Sequence, residues 1–206
     1  MDERTAAAQI VAAGRRLGSR GLISAGEGNL SIRLDDDRIA VTPRGRRKDE
    51  LTEDEVVVVA VARPGASPVT DGAPSSDVAI HLAAYAARAE IGAVAHAHLP
   101  AAMALSLAGE VPDPSALPET ALFIPRLPYL PFGEPGSDEL AERIAEALTS
   151  APSPFPDAIL LERHGAIAVG PDLATAVDRL ELVEVLCRAW RDSLLIRAAR
   201  DAGPTG

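Results

Sequence analysis

Four histidines occur in the chain, His81, His96, His98 and His164, and three of them have the spacing of a metal site. His96-Ala97-His98 closes an apolar segment with strand character. Strand side chains alternate, so both imidazoles fall on one face. This sets two nitrogen donors side by side, as zinc requires. His164 follows a second apolar segment, Ala158 to Leu161, and precedes Gly165. Three imidazoles leave room at a metal for a carboxylate or a substrate oxygen. Ordinary hydrogen-bonded histidines fit the same spacing, so both readings stay open.

Three further segments have the make-up of an anion cradle. Gly26-Glu27-Gly28-Asn29-Leu30-Ser31 combines accessible backbone N–H groups with amide and hydroxyl donors. Thr42-Pro43-Arg44-Gly45 adds a hydroxyl, a guanidinium and another open stretch of backbone. Pro74-Ser75-Ser76-Asp77 opens a helix, whose first N–H groups favour phosphate. Each alone reads as a turn or a cap; the three beside a metal-binding trio form a more specific set. Asp77 sits in the first turn of that helix, where an acid favours the helix dipole. It stands four residues before His81, close enough to pair on one face. Beside an anion pocket it is a candidate base or metal ligand, whereas His81 belongs with the packing residues.

Other chemistries are disfavoured by what the chain lacks. Its one lysine, Lys48, lies in the charged run Arg44 to Glu50. That setting reads as solvated, which argues against a Schiff-base mechanism, because such a lysine needs a desolvated neighbourhood. The single Cys187 excludes an internal disulfide and multi-cysteine metal sites. It falls in an apolar helical pattern and reads as a buried small hydrophobe. A formal charge of −10 argues against a general nucleic-acid binder. No apolar run approaches a membrane span, and the start Met1-Asp2-Glu3-Arg4 lacks a signal-peptide pattern. A cytoplasmic location is expected.

These residues need elements to position them. Helical spacing predicts a first helix over residues 5–18, with strands at Asn29–Leu34 and Arg38–Val41 around an Asp35-Asp36-Asp37 turn. Leu51 to Asp54 reads as a capped turn before a strand at Val56–Val61, and 63–74 reads as loop. Ser76 is expected to cap a helix over Asp77–Arg88. A strand at Ile91–Ala97 and a short helix at Ala101–Ala108 follow. The proline-rich stretch 110–137 is expected to hold two extended segments, near Ala121–Ile124 and Leu127–Leu130. A helix capped at Ser137 runs to about Leu148. Strands at Ala158–Leu161 and Ala166–Val169 precede a long helix from Pro171-Asp172 through Trp190 to about Arg197. Residues 201–206 read as a frayed tail. Length and pattern fit one α/β domain over residues 1–206.

Taken in order, Gly28-Asn29-Leu30-Ser31, Thr42-Pro43-Arg44-Gly45, Pro74-Ser75-Ser76-Asp77 with His81 and Tyr85, His96-Ala97-His98, and Arg163-His164-Gly165 resemble the class II aldolase/adducin family, over nearly the whole chain. The resemblance implies an α/β/α sandwich with a mostly antiparallel central sheet. It also implies a homotetramer with active sites near subunit interfaces. By position it makes His96, His98 and His164 the ligands of one zinc ion. Gly28, Asn29, Thr42, Gly45, Ser75 and Ser76 become the phosphate-binding lining, and Asp77 the catalytic acid/base. The implied activity is a zinc-dependent aldolase, cleaving or forming an aldol bond in a phosphorylated ketose through a metal-stabilised enediolate. A sugar-phosphate 4-epimerase and a methylthioribulose-1-phosphate dehydratase would use much of the same site. A non-catalytic adducin-like interaction domain would not need the histidines.

Three positions depart from the family pattern. The fuculose-phosphate aldolase pattern has Glu where this chain has Asp77, while the epimerase pattern has Asp. Both enzymes use tyrosines late in the chain as proton donors, but here the tyrosines are Tyr85 and Tyr129. Arg44 stands where a small residue is common. Glu119 lies where a dehydratase could place its acid, and it also reads as a surface carboxylate.

Overall fold

Among the described residues, eight strands form the centre of the structure, in the order β4-β3-β2-β1-β5-β8-β7-β6. A computed structural model describes residues 1–61, 67–150 and 152–203. In chain order the strands are β1 (Asn29–Arg33), β2 (Arg38–Val41), β3 (Val57–Ala60), β4 (Ser67–Pro68), β5 (Ala93–Ala97), β6 (Tyr129–Leu130), β7 (Ala158–Leu161) and β8 (Gly165–Gly170). Only the β6–β7 pair is parallel among them. The helices are α1 (Glu3–Ser19), α2 (Val78–Ala87), α3 (Pro100–Leu107), α4 (Pro118–Phe123), α5 (Asp138–Leu148) and α6 (Leu173–Asp201).

The alternation of strand side chains builds two different cores. One face of the sheet carries Ala93, Ala95, Ala97, Ala166 and Ala168, buried with Leu180, Val183 and Leu186 of α6. Methyl-sized side chains let that long helix lie close to the sheet. The other face carries Val57, Val59, Val94, Ile159, Ile167 and Val169. Against it pack Ile80 and Ala84 of α2 with Leu140 and Ile144 of α5. Helices thus cover both faces, giving the α/β/α sandwich with a mostly antiparallel sheet.

Local signals explain most boundaries. Asp2 accepts from Thr5 N–H at the start of α1, Ser137 from Leu140 N–H at α5, and Asp172 from Thr175 N–H at α6. The first turn of α3 has no side-chain cap of its own and is capped from elsewhere. Both carboxylate oxygens of the buried Glu184, on α6, lie 3.1 Å from Ala101 N, which donates to them. Arg188 pairs with the same group. The helix that starts two residues after His98 is thereby tied to the last helix.

Four expectations are corrected. Within the expected loop 63–74, Ser67–Pro68 pairs with β3, while 62–66 lie outside the described residues. Ala121–Ile124 is not extended: Pro118 sits in the first turn of α4, where its missing N–H costs nothing. Helix α2 begins one residue later than expected, with Asp77 rather than Ser76 at the N-cap. The last helix continues to Asp201, so the expected fraying is not seen at its start; residues 204–206 lie outside the described set. Among the described residues no helix is long and apolar enough to cross a membrane.

Candidate active site

His96 lies near the end of β5, paired across the ladder with Asn29 of β1 and Ile167 of β8. His98 follows the strand end by one residue. His164 is delivered by the tight β7–β8 connection. There Arg163 adopts a left-handed φ of 54° and Gly165 a φ of 103°. A Cβ on Gly165 would come within 2.2 Å of the Ala97 carbonyl oxygen, so only glycine permits this approach. Ser106 of α3 anchors the turn by accepting from Arg163 N–H at 2.8 Å, and its hydroxyl lies 3.2 Å from that of Tyr129.

The three imidazoles converge. Their ring centroids are 4.7, 5.0 and 5.1 Å apart, and one nitrogen from each lies within 4.8 Å of the others. His96 Nδ1 donates to the Ala166 carbonyl at 2.9 Å. That fixes the tautomer and leaves Nε2 with its lone pair. His96 Nε2 and His164 Nδ1 are both buried without a hydrogen-bond partner. Burial, reinforced by the neighbouring His164, holds the His96 imidazolium form far out of reach at neutral pH. Burial likewise lowers His98 and His164, partly opposed by the charge of Asp77. Neutral nitrogens that face one another without donors between them are the donor set of a divalent metal site. The residues present therefore fit the metal the sequence implies.

Asp77 does not pair with His81 as the helical spacing suggested. The two are linked through Asn29, whose side-chain amide donates to Asp77 Oδ2 at 2.9 Å. Because the carboxylate can only accept, the remaining directions follow. Asn29 Oδ1 accepts from His81 Nε2 at 2.5 Å. His81 Nδ1 then accepts from Ser31 Oγ at 2.6 Å, and Ser31 accepts from the Tyr85 hydroxyl at 2.8 Å. Burial pushes His81 down to about 3, which keeps it neutral in this chain of bonds, and raises Tyr85 so that it stays a donor. The network leaves Asp77 Oδ1 buried and without a partner. Asp77 is not in the set of groups whose ligand atoms lie within 4.8 Å of one another.

The three anion segments meet. Ser75 N–H donates to the Thr42 carbonyl, Arg44 N–H to the Ala73 carbonyl, and Pro43 bridges Pro74. Gly26 approaches Gly45 from the other side. Asn29, Thr42 and Ser75 are buried, while Gly45, Ser76 and Arg44 are exposed. Thr42 Oγ1 accepts from Leu30 N–H at 3.2 Å, so part of its capacity is already used. Gly28 has a φ of 71°, and a Cβ there would meet the His96 carbonyl oxygen at 2.9 Å.

Two site-adjacent residues were misjudged from sequence. Lys48 is buried, not solvated: its Nζ donates to the Gly26 carbonyl at 2.5 Å, and burial lowers its pKa against the opposing charges of Asp77 and Glu27. Glu27, read only as part of a backbone cradle, places Oε2 3.4 Å from His98 Nδ1. Cys187 is buried as expected, its thiol pushed up to about 12 by burial. Glu119 is an exposed carboxylate on α4.

Residues 8–191 match the family model described as Class II Aldolase and Adducin N-terminal domain. A 3-oxo-tetronate 4-phosphate decarboxylase of Haemophilus influenzae is 33% identical, covering 85% of this chain and 81% of its own. A methylthioribulose-1-phosphate dehydratase of Granulibacter bethesdensis is 34% identical, covering 88% of each. The crystal structure of L-fuculose-1-phosphate aldolase from Thermus thermophilus is 28% identical and covers 100% of both chains, with a TM-score of 0.80.

Proposed function

The chain belongs to the class II aldolase and adducin family, and from that premise we propose that it is a metal-dependent lyase that cleaves or forms an aldol bond in a phosphorylated ketose. The observation that carries this reading is the convergence of three neutral imidazoles, with the charge of Asp77, one oxygen of which is unpaired, acting on His98 and His164. His96, His98 and His164 would hold one divalent ion, most simply zinc. Such an ion supplies Lewis acidity toward a carbonyl and a neighbouring hydroxyl oxygen.

The chain's own groups do the rest. The backbone and hydroxyls of Gly28, Thr42, Gly45, Ser75 and Ser76, with the Asn29 amide, hold the substrate phosphate and so orient the reacting carbons. Asp77 takes the hydroxyl proton as the carbon–carbon bond breaks and returns one to the resulting carbanion. The bonds from Tyr85 through Ser31, His81 and Asn29 hold its carboxylate in one rotamer, with Oδ1 presented to the reaction. Four-fold assembly into a homotetramer is part of the proposal. It is supported by apolar side chains left exposed on one chain, among them Leu122, Phe123, Leu195 and Ile196.

A second reading, decarboxylation of a phosphorylated 3-oxo acid, is favoured by the likeness to the Haemophilus protein. Both reactions break a carbon–carbon bond one carbon from a ketone, and they differ in the fragment released. Purified protein incubated with a panel of phosphorylated ketoses and 3-oxo acids separates them. The proposal expects an aldehyde and a shorter phosphorylated ketone. Carbon dioxide as the only small product would replace it with the second reading.

A further inference from the structure

Each metal-facing histidine needs something to hold its ring, and the three are not held alike. His96 is gripped by the Ala166 carbonyl, and the His164 backbone is set by the Arg163–Gly165 turn. His98 lies beyond the last residue of β5 and its side chain is 27% exposed. Among the described residues, Glu27 stands against its ring, with Oε2 3.4 Å from Nδ1. That distance is a few tenths beyond a full hydrogen bond.

Glu27 is itself fixed in place. Its other oxygen, Oε1, accepts from both the backbone N–H and the hydroxyl of Ser24, at 2.7 and 2.8 Å. Glu27 N–H donates back to the Ser24 carbonyl. One residue earlier in the chain, Gly26 is held by the buried Lys48 ammonium. One residue later, Gly28 is pressed against the His96 carbonyl in a conformation that favours glycine. A surface loop with no task would not need its carboxylate tied at one oxygen and its backbone clamped on both sides. The single lysine of the chain serves this clamp.

We propose that Glu27 is a positioning residue for the metal site. Its free oxygen holds the Nδ1–H of His98, which fixes the ring and keeps Nε2 available as a donor, while Lys48 and Ser24 hold the Glu27 loop down. A carboxylate behind a ligating imidazole raises its basicity and sets its tautomer, and losing one costs 10–100-fold in metal affinity. This inference rests on the reading that the three histidines bind a divalent ion.

The test is zinc titration of the metal-free full-length chain against a chromophoric chelator, for the wild type, Glu27→Ala, Glu27→Gln and His98→Ala. Thermal unfolding of the metal-free forms runs alongside. The expected result is an affinity loss of about 10–100-fold for Glu27→Ala, with a melting temperature close to wild type. Glu27→Gln keeps an acceptor oxygen at the same reach and loses less. If His98→Ala abolishes tight binding while Glu27→Ala stays within about twofold of wild type, the Glu27 role is overturned and the metal site stands. If His98→Ala binds zinc as the wild type does, the metal reading falls and takes the Glu27 role with it.

Discussion

His81 and His96 are both fully buried imidazoles on the same side of the sheet, yet their surroundings differ. His81 has a partner at each ring nitrogen, Ser31 and Asn29. His96 has one partner, Ala166, and its second nitrogen faces His98 and His164 with nothing to accept or donate. A buried polar atom without a partner costs about 1–3 kcal/mol, so a fold keeps such atoms where something else binds them. The satisfied cluster is scaffold and the unsatisfied one is site. Asp77 is tied to the first through Oδ2, its Oδ1 is left without a partner, and its charge acts on His98 and His164 of the second.

The strongest way to break this comparison is to remove a member of the unsatisfied cluster. His164→Ala should abolish tight metal binding and lower turnover by about 10³-fold or more, since Lewis-acid stabilisation contributes several kcal/mol. Metal content and kcat measured together would show it, and undiminished turnover would count against the assignment. Next in size is the carboxylate at the end of the satisfied cluster. Asp77→Asn keeps the shape and removes the basicity, so kcat should fall about 10²–10⁴-fold while metal is retained. Near-wild-type turnover would reduce Asp77 to a helix-terminal charge and shift attention to Glu119.

A smaller effect is expected at the anion segments. Ser75→Ala combined with Ser76→Ala should raise KM for the phosphorylated substrate about 10-fold, the scale of one hydrogen bond to a charged group. Metal content should not move. Equal turnover of the unphosphorylated sugar by the wild type would remove the phosphate pocket.

The smallest effect belongs to the satisfied cluster. His81→Leu strands Asn29 Oδ1 and the Ser31 hydroxyl, so unfolding free energy should drop by about 1–3 kcal/mol with metal binding intact. The pH dependence sharpens this. Folded His81 titrates at about 3, against about 6.5 in an unfolded chain. Between those values the unfolded state binds the proton that the folded state refuses. The neutral-His81 stability is therefore present above pH 6.5 and is lost as pH falls toward 3, at up to about 1.4 kcal/mol per pH unit. The difference between wild type and His81→Leu should shrink as the solution is acidified. Denaturant unfolding from pH 7 to 4 reads it, and a constant difference would mean that His81 takes up its proton as readily in the fold as in the unfolded chain.

Much of this arrangement could be read from sequence because its signals are local. The His96-Ala97-His98 alternation needs only strand geometry, and the Ser137 and Asp172 caps need only their own helices. What escaped depends on contacts distant in sequence. Lys48 sits in a run of charges whose average says solvent, but the fold turns this one ammonium inward toward Gly26. Asp77 and His81 have pairing distance on a helix, yet Asn29, 48 residues from Asp77 along the chain, competes for both. Glu27 looked like a spacer between two glycines until His98 arrived beside it. In α4 the local signal was present in Pro118 and outweighed by the apolar run after it.

The central claim is that the buried nitrogens of His96 and His164 lack partners because a metal ion binds there, with His98 as its third ligand. Metal analysis of the purified protein, before and after dialysis against a chelator, tests it most directly. The account predicts about one equivalent of divalent metal per chain, lost on chelation together with activity and recovered with added zinc. It also predicts none in the His96→Ala variant. A wild-type protein that holds no metal and keeps full turnover after chelation would contradict it.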